Sequence, residues 1–130
     1  MFDWKKPTVQ MLGRWQPWHD GHQALFKRCV VKTGQVVIQV RDVQGASGGD
    51  GQDDNPFDWD AVCKNIEDGL IKDNFKRGVD YEIMLVPNIV NITYGRGVGY
   101  AFDEEVFDDA THSISATKIR KKMRDEGKLS

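Results

Sequence analysis

The stretch VQMLGRWQPWHDGHQALFKR, residues 9–28, decides how the first part of the chain folds. It opens on a short, mostly apolar run and then passes through a turn that holds an arginine, two tryptophans, a proline and two histidines. The apolar run predicts a strand at residues 8–12, and the apolar spacing beyond the turn predicts a helix at residues 21–33, which Gly34 can end. The turn GRWQPWHDGH (13–22) therefore joins a strand to a helix.

The alternation of strand and helix continues beyond this unit. Residues 35–41 are rich in β-branched side chains and predict the second strand. The run at 44–55 carries glycines and aspartates without a large apolar residue, so we expect a loop there. Apolar residues spaced by four predict a second helix over 58–76, and an apolar run predicts a third strand over 81–86.

The rest of the chain, residues 88–126, has weaker local patterns. Residues 89–94 are compatible with a short strand, 94–100 form a glycine-rich loop, and 103–109 are acidic. A last helix is predicted over 115–126, because Ser115 is a good N-cap.

This order of elements predicts the fold class. Strand, helix, strand, helix, strand and a closing helix indicate crossover units, hence an α/β, Rossmann-like open parallel sheet with helices on both faces. The 130 residues suit a single domain, 1–130, with one hydrophobic core.

Composition limits the class of function. The chain is 39% hydrophobic and 29% charged, which is typical of an ordinary globular domain. Its net charge of −2 provides no broad cationic field, so we expect no nucleic-acid partner. No apolar run is long enough to span a bilayer and no leader precedes the first strand, so we expect no membrane partner and a cytoplasmic location. Cys29 and Cys63 are expected to be reduced thiols, and a homo-oligomer is left open.

The turn at 13–22 has the composition of a polyphosphate site. Ligands of open parallel sheets bind beyond the carboxyl ends of the strands, which is where this turn lies. Gly13 allows a tight exit from the strand, and Gly21 allows close approach to the helix start, whose N–H groups and dipole favour an anion. His19 and His22 add ring donors, and Arg14 adds a fixed charge suited to phosphate oxygens.

Other interpretations of the two histidines remain open. A pair three residues apart on a helix can bind a metal ion, but metal sites usually have three or four ligands and His112 is the only other histidine. We therefore predict no protein metal site. Simple packing of histidine with tryptophan is the second alternative.

Three further side chains near this edge have two interpretations each. Trp15 and Trp18 can stack on a base or line a pocket, and core packing is at least as plausible for each. Arg41 ends the second strand at the edge where a phosphate would bind; its alternative is a surface salt bridge with Asp42 or a neighbour.

The sequence carries a resemblance to a known superfamily. Residues 13–22 resemble the GRxxPxHxGH form of the HxGH motif of nucleotidyltransferases, and are most similar to the adenylyltransferases that act on nicotinamide mononucleotide. Near the C-terminus, ISATKIR at 114–120 resembles the superfamily's second motif, ISxTxxR. Residues 55–57, Asn-Pro-Phe, resemble a stretch of the archaeal members. Both motifs fall at predicted helix starts with strands between them.

The resemblance implies a reaction and a set of residues. A phosphate-bearing small molecule would attack the α-phosphorus of a nucleoside triphosphate in line, pyrophosphate would leave, and Mg²⁺ would arrive with the triphosphate. The implied catalytic residues are His19, His22 and Arg120. The predicted nucleotide-binding residues are Gly13, Arg14, Trp15, Gly21, Ser115 and Thr117 from the two motifs, and Arg41 from its place at the end of the second strand. Without the resemblance, residues 115–126 are an ordinary capped helix with a basic surface.

Two alternatives to an ATP-dependent adenylyltransferase are open. The ISATKIR form and the short chain also suit a cytidylyltransferase of the glycerol-3-phosphate type, which would use CTP. A nucleotide-binding regulator without turnover is the alternative of another class. The GRxxPxHxGH form favours ATP.

Overall fold

The structure is a computed structural model, and it describes residues 1–43, 57–96 and 99–105. Three strands and two helices alternate along the chain, and the three strands form one parallel sheet in the order β1-β2-β3. This arrangement confirms the predicted α/β class, a small Rossmann-like parallel sheet. The elements are β1 (Val9–Gly13), α1 (Asp20–Thr33), β2 (Val36–Arg41), α2 (Trp59–Ile71) and β3 (Tyr81–Val86).

The register of the strands brings their carboxyl ends to one edge of the sheet. Gly13 pairs with Val40, and Val40 pairs with Leu85 in the next strand. The turn after β1 therefore begins beside the end of β2, where Arg41 is the last strand residue. Residues distant in sequence share this edge, as expected for a parallel sheet.

Both described helices lie on the same face of the sheet. They contact each other directly, since Gln23 Nε2 of α1 donates to the Gly69 carbonyl of α2 at 2.8 Å. Two right-handed crossovers that step the same way across a sheet place their helices on one side. The helix predicted over 115–126, which would be needed for the opposite face, lies outside the described residues, as does the loop predicted at 44–55. Within the described ranges no helix is long and apolar enough to span a membrane.

The core lies between that face and the two helices. Alternate residues of the strands point into it, and the helices contribute residues spaced three or four apart, as the sequence pattern predicts. Cys29 belongs to this core, and both cysteines are free thiols, as expected. The fully buried side chains are Phe26, Val36, Ile38, Val62, Ile66 and Leu70, with Tyr81 at 1% exposure.

The ends of the helices follow capping chemistry. Gly34 takes the left-handed conformation (φ 87°) and ends α1 as predicted. Helix α2 begins after Asp58, whose carboxylate accepts from the Ala61 amide. The prediction that α2 continues to residue 76 is wrong. The helix ends at Ile71 because its buried stripe ends at Leu70, and the chain then turns, with a positive φ of 68° at Asn74.

Residues 89–94 form no strand, so that prediction is wrong as well. The chain leaves β3 at Pro87 with a tight turn in which the Ile89 amide donates to the Pro87 carbonyl at 2.7 Å. It then runs as irregular backbone past Leu12 and Arg41. The acidic residues further on contact α1, where Lys32 pairs with Asp103 at 2.9 Å and with Glu105 at 2.7 Å.

Candidate functional site

The turn between β1 and α1 is shaped by a buried tryptophan. Trp15 has a positive φ of 55° and turns its indole back over Gly13. A Cβ on Gly13 would lie 2.9 Å from Trp15 Cζ2, so this position has no room for a side chain. Trp15 Nε1 donates to the Gln39 carbonyl at 3.1 Å, which joins the turn to β2. Burial of the ring offsets the roughly 1–2 kcal/mol that a left-handed backbone costs.

A glutamine ties the same turn to the entrance of α2. Gln16 is 4% exposed, and its amide donates to the Phe57 carbonyl and accepts from the Phe57 N–H, both at 2.9 Å. The two bonds span 41 residues, so no local pattern indicated them. Gln16 therefore fixes where the turn lies relative to α2.

The two histidines cap the start of helix α1 reciprocally, because each ring accepts a hydrogen bond from the backbone amide of the other residue. His19 is the N-cap residue, and its Nδ1 accepts from the Gly21 and His22 amides at 3.0 and 3.4 Å. In return, His22 Nδ1 accepts from the His19 amide at 3.2 Å. This is the reciprocal arrangement of a capping box, which usually uses Ser or Thr with Glu or Gln.

The cap sets the tautomer of both rings. Because each Nδ1 accepts an amide N–H, a neutral ring must carry its proton on Nε2. Each imidazole therefore has an Nε2–H donor that the cap does not use. The cap also corrects one prediction. The amides of Gly21 and His22 are not free for an anion, because the His19 ring accepts them. The donors that the cap leaves unused are the two ring N–H groups.

The same tautomer disfavours a metal ion at these two rings. Binding through Nε2 would require the proton to move to Nδ1, where it would face the amide donors of the cap. Among residues 1–43, 57–96 and 99–105, no group of three or more His, Cys, Asp or Glu is placed to hold a metal ion.

The two rings are stacked, and burial keeps both of them neutral. Their centroids lie 3.6 Å apart with an angle of 18° between the planes. Burial, with a smaller contribution from the neighbouring His19, lowers the pKa of His22 to about 3. Burial also lowers the pKa of His19, against the opposing charge of Asp20. At neutral pH the site thus has two uncharged, oriented N–H donors.

Two indoles enclose His22. Trp15 meets its ring edge to face at 4.8 Å, and Trp18 lies 5.4 Å away at 45°. The tryptophans are 6% and 8% exposed, so both pack around the histidine, and neither offers an open face for stacking on a base. Trp15 is predicted to bind the nucleotide, but the structure packs its ring against the His22 imidazole.

Arg41 lies at the same edge of the sheet but bonds elsewhere. Its Nη2 donates to Asn88 Oδ1 at 2.8 Å, and within the described residues it makes no ion pair with Asp42. Arg41 lines two hollows. One is a groove of about 400 Å³ beside Leu12 and residues 89–92. The other is a cavity of about 170 Å³ between the ends of β2 and β3 and the start of α2, where Trp59 lies.

The predicted residues divide into three groups by position. The structure brings Gly13, Trp15, His19, Gly21 and His22 together at the start of α1, with half-buried Arg14 directly after β1. It places Arg41 on the same edge, where the guanidinium bonds to Asn88. Ser115, Thr117 and Arg120 lie outside the described residues. Sequence reasoning missed Gln16, Gln23 and Asn88, whose bonds all reach across the fold.

Comparison with known proteins adds no assignment. A scan against models of protein families finds no match to the chain, and a search of curated proteins finds none. The fold and site define the class of the molecule, a parallel α/β domain with a mutually capped histidine pair at the turn between β1 and α1.

The low pKa of His22 predicts how stability depends on pH. The ring has a pKa of about 3 in the folded protein and 6.5 in the unfolded chain, so acid protonates the unfolded state first. Stability from this group is complete above pH 6.5 and is lost as the pH falls towards 3. Because the ring keeps some contact with solvent, which weakens the effect, we expect a loss of roughly 1–2 kcal/mol by about pH 4.5.

Urea unfolding at a series of pH values measures this effect. The control is His22→Gln, which removes the titrating ring while the carboxylates stay. The wild-type curve should fall more steeply than the variant's between pH 6.5 and 4.5. Parallel curves would show that His22 is not held neutral by the fold.

Proposed function

We propose that the protein is a nucleotidyltransferase that moves a nucleoside monophosphate from a nucleoside triphosphate, with ATP favoured, to a phosphate-bearing small molecule. The observation that carries the proposal is the capped histidine pair, with two neutral Nε2–H donors at the sheet edge where ligands of such folds bind. The HxGH form of residues 13–22 and the ISxTxxR form of residues 114–120 support it.

The proposed reaction is an in-line displacement at phosphorus. An oxygen of the acceptor's phosphate forms a bond to the α-phosphorus, and the bond from that phosphorus to its bridging oxygen breaks. Pyrophosphate leaves with the electron pair and with the Mg²⁺ that entered as part of the substrate. No covalent bond to the protein forms, so the chain contributes position and charge stabilisation.

The histidines suit that contribution. Uncharged N–H donors hold the ground-state phosphates moderately, and their bonds strengthen as negative charge builds on the transferring group. The cap and the stack fix both rings beforehand, so little reorganisation is needed during the reaction. A bound polyphosphate also favours protonated rings, which would raise both pKa values from their lowered positions.

The other proposed residues surround this pair. Arg14, Ser115, Thr117 and Arg120 would hold the β- and γ-phosphates, and Gly21 would allow them a close approach to the start of α1. Gly13 instead makes room for the Trp15 ring. Arg41, oriented by Asn88, would meet a phosphate at the end of β2. The cytoplasm remains the expected location because it supplies nucleoside triphosphates.

A matrix of substrates tests the proposal. ATP and CTP, each with Mg²⁺, are incubated with a panel of phosphate monoesters that includes nicotinamide mononucleotide and glycerol-3-phosphate, and pyrophosphate release is followed. We expect release with ATP and one acceptor; release with CTP and glycerol-3-phosphate identifies the cytidylyltransferase alternative.

Measuring the binding of ATP and CTP decides between the alternatives if no pyrophosphate is released. Tight triphosphate binding without release for any acceptor would indicate the regulator. Absence of binding to either triphosphate would contradict the proposal.

A further inference from the structure

A chain of contacts joins helix α2 to His22. The Trp18 ring lies against the His22 imidazole, and Trp18 Nε1 donates to Gln23 Oε1 at 2.7 Å. Gln23 Nε2 in turn donates to the Gly69 carbonyl at 2.8 Å. The path runs from the backbone of α2 through one amide and one indole to the histidine.

The orientation of the Gln23 amide is determined by its partners. An indole N–H can only donate and a carbonyl can only accept, so Oε1 must face Trp18 and Nε2 must face Gly69. The second proton of Nε2 goes to Asp73 Oδ2 at 2.7 Å. Both ends of the amide are engaged, and a rotated amide would lose these bonds.

A glycine inside α2 makes room for the indole. A Cβ at Gly69 would lie 2.8 Å from Trp18 Cδ1 and 3.0 Å from its Nε1. Glycine in a helix interior costs about 1 kcal/mol relative to alanine. The helix thus carries an unfavourable residue at the point where Trp18 packs against it, which indicates that the indole position matters more than local helix stability.

We propose that Gln23 and Trp18 are positioning residues, which hold the His22 ring with Nδ1 on the helix cap and Nε2–H available to the ligand. Without the Gln23 oxygen, the indole N–H would be left unpaired in a nearly buried position, at a cost of about 1–3 kcal/mol. The indole would turn away to find a partner, and water would reach the face of His22 that it covers. The presence of a ligand at Nε2 rests on the proposed function, whereas the orientation of the ring does not.

Nitrogen NMR of the imidazoles tests the positioning without any substrate. In the wild type, His22 should remain the neutral Nε2–H tautomer down to acidic pH. In Gln23→Leu, we expect its pKa to rise by about one unit or more towards the ordinary histidine value, with mixed tautomers. Gly69→Ala removes no hydrogen-bonding group, but its Cβ crowds the Trp18 indole and lies 3.3 Å from Gln23 Oε1, so it should shift the pKa of His22 in the same direction.

Asp73→Asn is the matched control. It keeps an acceptor for Gln23 Nε2 and removes only the charge that pairs with Lys27, so His22 should titrate as in the wild type. Wild-type titration and tautomer in both Gln23→Leu and Gly69→Ala would overturn the proposal. Should one variant fail to fold, the other decides.

Turnover provides a second readout that separates the two proposals. If the chain releases pyrophosphate, Gln23→Leu should lower kcat about tenfold while the KM for the triphosphate changes less, because the donor acts mainly in the transition state. An unchanged kcat would contradict positioning. If even the wild type releases none, the proposed function fails, while the NMR result still decides the role of Gln23.

Discussion

Replacing His22 with alanine should lower pyrophosphate release by about 100-fold or more, which is the usual effect of losing one transition-state donor. The variant loses the Nε2–H donor and also the ring that stacks on His19 at 3.6 Å. It further loses the acceptor for the His19 amide, so the cap of α1 weakens. We therefore expect a loss of about 1 kcal/mol in stability beside the much larger loss of turnover.

Asp20→Asn is the control for this variant. Asp20 lies in the same first turn of α1 and is exposed, and its change leaves the ring stack and the cap intact. Turnover per folded molecule, measured by pyrophosphate release after the folded fraction is determined, should stay near the wild-type value. If His22→Ala keeps full turnover per folded molecule, the histidine pair serves only packing and the helix cap.

Gly13→Ala should destabilise the protein by about 1–3 kcal/mol, the usual cost of forcing an extra carbon into a packed site. The new Cβ would lie 2.9 to 3.1 Å from three carbons of the Trp15 indole. The ring cannot easily retreat, because it is 6% exposed and its Nε1 is bonded to the Gln39 carbonyl. Since Trp15 also packs on His22, triphosphate binding should weaken together with stability.

Gly95→Ala is the matched control, since a Cβ there meets no atom within 4 Å. Urea unfolding of both variants measures the difference, and titration with ATP gives the affinity. Equal midpoints for Gly13→Ala and Gly95→Ala would mean that the Trp15 ring moves freely, and the enclosed arrangement around His22 would then be wrong.

The candidate site shows which of its features a local sequence pattern can predict. The sequence places two imidazoles at the start of a helix that follows a strand, which is enough to predict donors for an anion. It does not show which nitrogen carries the proton, because that depends on the reciprocal bonds between each ring and the other's amide. It also leaves the Trp15 ring open to stacking, whereas packing buries it against Gly13 and His22.

The sequence by itself determined the parallel α/β class, the order of the described strands and helices, and the stop at Gly34, because these depend on neighbours within a few residues. The tertiary structure decided that both described helices share one face, that α2 ends at Ile71, and that residues 89–94 form no strand. It alone revealed Gln16 on Phe57 and Gln23 on Gly69, which are 41 and 46 residues apart. Such contacts depend on how whole helices and strands pack. The side-chain periodicity of one element does not show which residues of another element it will contact.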